Sequence, residues 1–255
     1  MKVISLQSGS NGNCIYVEAG GSALVFDAGI SGARARRRLA RRRREISHAD
    51  AVIISHDHRD HVRCSGIYQR KFGLPIHVTE PTLAAAREYC RLGQLSDVRF
   101  FRAGETLRFD GACVETIPTP HDGADGVGFV VDDGRRRVGI LTDLGHVFPG
   151  LADVIATLDA VVLESNYDAD MLAYGPYPAL VKDRIRGPGG HLSNVEAGEL
   201  LAAAAGRRMQ WACLAHLSQQ NNEPQLALET WREILADGLP LHVAGRYAVS
   251  DVLRV

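Results

Sequence analysis

No uninterrupted apolar run in this 255-residue chain approaches membrane-spanning length, and no basic N-terminal segment leads into one. A soluble, cytoplasmic protein with no membrane contact is expected. Also missing is a Pro/Ser/Gly-rich linker, an internal repeat or a low-complexity tract other than one arginine run. With 45% hydrophobic residues, the simplest organisation is one α/β domain over residues 1–255. Cysteine is sparse: Cys14, Cys64, Cys90, Cys113 and Cys213 are odd in number and show no C-x-x-C spacing. Reduced, buried thiols fit that pattern, and a disulfide scaffold does not. Charge of one sign is lacking as well, since the net charge is −1. The molecule as a whole therefore does not advertise a polyanionic partner. The Gly-rich stretch Ser8–Asn13 lacks G-x-x-x-x-G-K-[ST], which excludes a nucleotide P-loop. A tight turn is expected there, with Ser and Asn able to touch a phosphate.

What the chain does contain is the run His56-Asp57-His58-Arg59-Asp60-His61, placed directly after the apolar, β-branched stretch Ala51–Ile54. That stretch reads as a buried strand, so the run begins where the strand ends. Imidazole and carboxylate are donors for zinc, manganese and iron. Four such side chains within six residues diverge too much to face one ion. Two adjacent ions are therefore expected, with His56 and His58 on one and Asp60 and His61 on the other. Three further donors each follow an apolar run: His121 after residues 114–120, Asp143 after 138–142 and His216 after 211–215.

H-x-H-x-D-H followed by an isolated His, an isolated Asp and a final His resembles the metallo-β-lactamase superfamily, over residues 1 to about 220. The resemblance implies an α/β fold of four layers, αββα, with two mixed sheets flanked by helices. It also implies that His56, His58 and His121 hold a first metal, that Asp60, His61 and His216 hold a second, and that Asp143 bridges them. The segments Ser8–Cys14, Thr142–Gly145, Leu163–Asn166, Gly190–Asn194 and Leu214–Ser218 are similar to those of the WalJ (YycJ) group. What that similarity implies is a metal-dependent nuclease, a DNA exonuclease foremost, with zinc or else manganese or iron as cofactor. DNA stands ahead of RNA or a small phosphodiester as partner.

Two ions sharing a hydroxide suit phosphodiester cleavage, because its transition state concentrates charge on oxygen. Asp60 is positioned in sequence to aim that hydroxide. A leaving alkoxide still needs a proton, and His191 is the candidate donor. It stands two residues before Ser193, which with Glu196 spells an S-x-x-E capping box. Free backbone N–H groups at that helix start would welcome an anion. The resemblance agrees, since phosphodiesterase branches carry a non-ligand His a few dozen residues before the last ligand. Glu164, ending the apolar run 160–163, is expected to orient that imidazole.

Other hydrolases of the same fold, acting on thioesters, lactones or β-lactams, remain the alternative, as does a non-catalytic metal-binding regulator. A glutathione-thioester enzyme would usually add a sizeable helical C-terminal part, whereas 39 residues follow His216. The 48 positions from Asp143 to His191 leave no room for a β-CASP insertion, and a tRNA-gripping arm is not found. Eight arginines lie within residues 34–44, and on one long helix to about Glu45, Arg34, Arg37, Arg38 and Arg41 would share a face. Such a stripe is either a solvated surface or a phosphate track. Tyr167, Tyr174 and Tyr177 gather in a Pro-bearing segment that suits either base stacking or packing. His48, His77, His146 and His242 show no partner pattern and are read as structural. Asn222, with Pro224 in the first turn, is expected to open the last helix.

Overall fold

The structure, a computed structural model, describes residues 1–236 and 238–255. The chain opens with three antiparallel strands, β1 (Lys2–Gln7), β2 (Cys14–Ala19) and β3 (Ser22–Phe26). After α1 (Gly32–Ala40), the strands β4 (Ala51–Ile53), β5 (Ile76–Thr79) and β6 (Val98–Phe101) add in parallel to β3. Between them lie α2 (Arg59–Val62), α3 (Ser65–Phe72) and α4 (Glu80–Tyr89). A second sheet repeats this plan. Its strands β7 (Thr106–Phe109), β8 (Ala112–Pro118), β9 (Val127–Asp132) and β10 (Arg137–Leu141) are antiparallel. Then β11 (Ala160–Glu164), β12 (Trp211–Ala215) and β13 (Leu241–Val243) run parallel to β10. Its helices are α5 (Leu151–Ala156), α6 (Ala169–Tyr174), α7 (Ala179–Arg186), α8 (Asn194–Ala204) and α9 (Pro224–Leu235). The last strand, β14 (Leu253–Arg254), returns to the edge of β1.

Period-2 alternation builds the layers. Leu24, Phe26 and Ile53 of the first sheet pack against Phe129, Ile140 and Val162 of the second, with the Phe26 and Phe129 rings 5.0 Å apart. The intervening Val25, Val52 and Ile54 face outward under Leu39, Tyr68 and Leu83 of α1, α3 and α4. On the other side Val161, Leu163 and Leu214 lie under Ile155, Leu201 and Trp231 of α5, α8 and α9. Both faces of each parallel half are covered, and this is why those strands read as continuous apolar runs. Each such buried side chain contributes roughly 1.5–3 kcal/mol. The result is the expected αββα sandwich. Among the described residues no helix is long and apolar enough to cross a membrane.

Three local expectations need correction. Helix α1 stops at Ala40, because Arg42 and Arg44 both donate backbone N–H to Leu39 and Arg43 turns to φ +58°. The arginine stripe does not form, since Arg38 is buried and bonds to Leu6 O, Gln7 Oε1 and Tyr247 O. Arg42 likewise donates to Ser250 O, and Arg44 pairs with Glu18 at 2.7 Å. With Arg34, which donates to Gln7 Oε1, half of the run thus ties α1 and the turn after it to β1, β2 and the C-terminal segment, and Arg36, Arg37, Arg41 and Arg43 stay exposed. Finally, Glu223 is the α9 cap, without a side-chain bond. Asn222 instead donates to Ser165 O and Asn166 O, tying the α9 entry to the end of β11.

Candidate metal centre

The donors picked from the sequence sit beyond the carboxyl ends of strands, with Asp60 and His61 in the short helix α2 that follows β4, along the rim shared by the two sheets. His56, His58 and His121 form one group, and Asp60, His61 and His216 a second. His121 Nε2 lies 3.2 Å from His58 Nδ1. Asp60 Oδ2 lies 3.5 Å from His61 Nε2 and 3.4 Å from His216 Nε2. Asp143 stands between the groups, with Oδ2 3.4 Å from His61 Nε2 and Oδ1 3.7 Å from His121 Nε2. All seven residues therefore meet in one place.

Two buried atoms here, His56 Nε2 and Asp143 Oδ2, have no hydrogen-bond partner among the described residues. Orphaned polar atoms at such depth are costly unless something else satisfies them. Four carboxylates, Asp27, Asp60, Asp143 and Glu164, crowd the same spot, and two divalent cations would balance them. The donor set, the orphaned atoms and the charge all fit a pair of metal ions. Without ions the imidazoles must do that work. Burial alone would lower the His216 pKa, but Asp143 and then Asp60 and Glu164 raise it to about 10. Burial is likewise outweighed at His61, where Asp143, Asp27 and Asp60 hold the pKa well above the usual value. His56, which has no carboxylate so close, is driven well below it by burial and by His61 and His58.

The donors are aimed by residues around them. Asp27 Oδ2 lies 2.7 Å from His61 Nδ1, which turns Nε2 toward the centre, and Ser55 Oγ donates to Asp27 at 2.9 Å. His56 Nδ1 meets Ser55 Oγ at 2.9 Å, and His121 Nδ1 donates to Gly190 O at 2.8 Å. His58 is turned the other way: its Nε2 lies 3.4 Å from Asp122, and Arg184 grips Asp122 through Nε and Nη2 at 2.6 and 2.9 Å. Asn13 Nδ2 donates to Asp60 Oδ2 at 3.1 Å, and Asn13 N to Asp60 O at 2.7 Å. This approach demands Gly29, since a Cβ there would lie 1.6 Å from Asp60 O. Asp27, Asp143 and His216 all have positive φ, at 64°, 58° and 55°. Left-handed backbone at a non-glycine residue is tolerated where the surroundings over-determine it.

His191 belongs to neither of the two groups above, but it forms a further one with Asp143, Glu164 and His216. Its Nδ1 lies 2.6 Å from Glu164 Oε1, and Glu164 is fully buried. The other Glu164 oxygen accepts Leu144 N at 3.1 Å and Leu192 N at 3.3 Å. Burial pushes the Glu164 carboxyl up, but His191 and His216 outweigh it and hold it below the usual carboxylate range. The free N–H groups expected near His191 are thus already taken. His191 N donates to Ile185 O, and the Ser193–Glu196 capping box forms in full. The His191 ring borders a cavity of about 390 Å³ that also reaches His58, Asp60, Asp143 and His216.

Several of these residues escaped the sequence reading. Asp27 ends an apolar strand just as the metal donors do, and that was the available signal. Asp122 follows His121 directly, yet nothing in sequence ties it to Arg184. Asp57 is held by Ala124 N at 2.7 Å and by the Tyr89 hydroxyl, so the second position of the motif secures a loop. In the Gly-rich loop, Ser8 and Asn13 are buried and Ser10 reaches the cavity. Of the three tyrosines, Tyr167 is buried, Tyr174 is exposed and Tyr177 lines the cavity. His48, His77, His146 and His242 join none of the potential metal groups among the described residues.

The family model for the beta-lactamase superfamily domain matches residues 23–216. The exodeoxyribonuclease WalJ of Streptococcus pneumoniae serotype 2 (strain D39) is 34% identical over 235 residues, which cover 91% of this chain and 87% of that protein. The exodeoxyribonuclease YycJ of Bacillus anthracis is 32% identical over 234 residues, covering 91% and 88%. Among solved structures, the metallo-beta-lactamase fold protein YhfI from Bacillus subtilis superposes with a TM-score of 0.73 at 18% identity, over 98% of both chains. Its likeness is one of fold.

Proposed function

We propose a function from an established premise: the chain belongs to the beta-lactamase superfamily, and within it to the WalJ/YycJ group. It is a metal-dependent hydrolase, and the reaction we assign to it is phosphodiester cleavage in DNA, working inward from a strand end. The names of the two relatives support DNA and the exonucleolytic mode. The Glu164–His191 pair beside the seven donors is the observation that carries the chemistry.

In this proposal His56, His58 and His121 would hold one ion and Asp60, His61 and His216 the other, with Asp143 available to both. Zinc suits the donor set first, with manganese or iron as the alternatives. When bound, the pair supplies an activated water and neutralises charge on the attacked phosphate. Asp60, fixed by Asn13, accepts a hydrogen bond from the attacking water and directs it. His191 donates its Nε2 proton to the departing oxygen, because Nδ1 is engaged by Glu164. The buried Glu164 carboxylate stabilises the imidazolium and keeps the ring facing the cavity. A cytoplasmic place of action suits this substrate and the five free thiols.

The test is a matrix of zinc, manganese and magnesium against end-labelled linear DNA, circular DNA, RNA and bis-p-nitrophenyl phosphate. Mononucleotides should leave linear DNA from one end, and circular DNA should resist. Internal fragments from circular DNA would refute the exonucleolytic mode. Failure to hydrolyse any phosphodiester with two ions bound would refute the whole assignment.

A further inference from the structure

The cavity beside the centre carries three side chains that the chemistry above does not use. Tyr89, the last residue of α4, lies against Asp57 through its hydroxyl, which pins the ring while leaving the residue 42% exposed. Tyr177 enters from the loop between α6 and α7, partly packed on the buried cluster of Tyr167, Leu172 and Ile185. Both rings border the cavity, and so does Arg59. Arg59 is exposed and makes no ion pair among the described residues, whereas Arg184, also at the rim, is committed to Asp122. Aromatic walls with a free guanidinium, next to a centre suited to phosphodiesters, match a nucleobase and its phosphate. The volume of about 390 Å³ falls near the lower end of ligand pockets, roughly 300–1,000 Å³. That is on the scale of a single nucleotide.

We infer that Tyr89, Tyr177 and Arg59 form a subsite for a single unpaired terminal nucleotide, whose base must leave its pair and stack before its phosphodiester reaches His191. This inference rests on the nuclease assignment. Stacking a base on an aromatic ring is worth ~1–3 kcal/mol, which corresponds to roughly 5- to 150-fold in rate.

The experiment compares two end-labelled DNAs that differ in whether the terminal nucleotide carries its base or is an abasic analogue. It also compares duplex ends with a matched or a mismatched terminal pair. The wild-type metal-loaded enzyme should cleave the base-bearing end about 5- to 150-fold faster than the abasic one, and the mismatched end faster than the matched one. Tyr177→Ala should slow cleavage of the base-bearing end and lose the discrimination against the abasic one, and Tyr177→Phe should restore it. Equal rates on base-bearing and abasic ends in the wild type would overturn the subsite. So would a Tyr177→Ala defect that multiplies with the abasic defect, since that means the ring acts elsewhere. A wild-type enzyme inert on all DNA ends would instead point to failure of the nuclease assignment.

Discussion

Each sheet ends one strand in a carboxylate that grips a histidine. In the first, Asp27 follows β3 and lies 2.7 Å from His61 Nδ1; in the second, Glu164 ends β11 and lies 2.6 Å from His191 Nδ1. The two pairs are alike in chemistry and in length. They differ in access, because the His61 side chain is 0% exposed and the His191 side chain 14%. The far nitrogen of His61 lies 3.4 Å from Asp143 and 3.5 Å from Asp60, among the metal donors. His191 borders the open cavity instead. Under the proposed function, the same carboxylate–imidazole unit would serve as a ligand where it is sealed and as a proton donor where substrate can reach it.

The largest effect expected from this contrast separates the two histidines. His61→Ala should lose one of two bound ions by elemental analysis and drop DNA cleavage below detection. His191→Ala should keep both ions and lower kcat by roughly 10²–10⁴-fold, the usual range for losing a proton-transfer group. A substrate with a good leaving group, such as p-nitrophenolate, should recover part of that loss. If His191→Ala sheds a metal, the two pairs are not different in kind, and Glu164, His191, Asp143 and His216 become a third ligand group.

A smaller effect is expected at the carboxylates. Asp27→Asn should weaken metal affinity by about 10–100-fold, as removal of a partner behind a ligand commonly does, and should leave kcat at saturating metal nearly intact. Glu164→Gln should do the reverse, lowering kcat and shifting the alkaline limb of the pH–rate profile with little change in metal affinity. Metal titrations and pH profiles on the same two proteins distinguish these outcomes.

The smallest effect is a pH dependence of the metal-free protein. His61 and His216 have raised pKa values when folded, so they contribute stability that is complete below about 6.5. That contribution disappears as pH rises toward about 10, the His216 value. Asp60, Asp143 and Glu164 are depressed, and their contribution is lost as pH falls below the ordinary carboxylate range. Chelator-treated protein should therefore show a falling Tm from about pH 6.5 to 10, and metal-loaded protein should not, because the ions replace the protons. Parallel Tm curves with and without metal would mean that the imidazoles do not balance these carboxylates.

The first half of the centre was legible because its donors are contiguous. His56 to His61 follow a strand whose burial on both faces forces an unbroken apolar run, and the donors begin where that run stops. The arginine run misled for a related reason. Helical periodicity predicted that Arg34 and Arg38 share a face, but charge alone gave no sign that the face points inward. In the fold Arg38 meets three oxygens, from β1 and the C-terminal segment, and these compensate its burial. Asp122 was illegible because its meaning depends on Arg184, some sixty positions away, swinging back on α7.

By itself, then, the sequence determined the strand ends, the donor types and the capping box before α8, since each follows from local periodicity or from a short motif, whereas the αββα plan came from the family resemblance those motifs carry. Which strand ends share a rim was decided by tertiary structure, through sheet order and register that bring β3, β4, β8, β10, β11 and β12 to one edge. That convergence sealed His61 and left His191 open, because accessibility depends on every element packed around a residue and on no single stretch of chain.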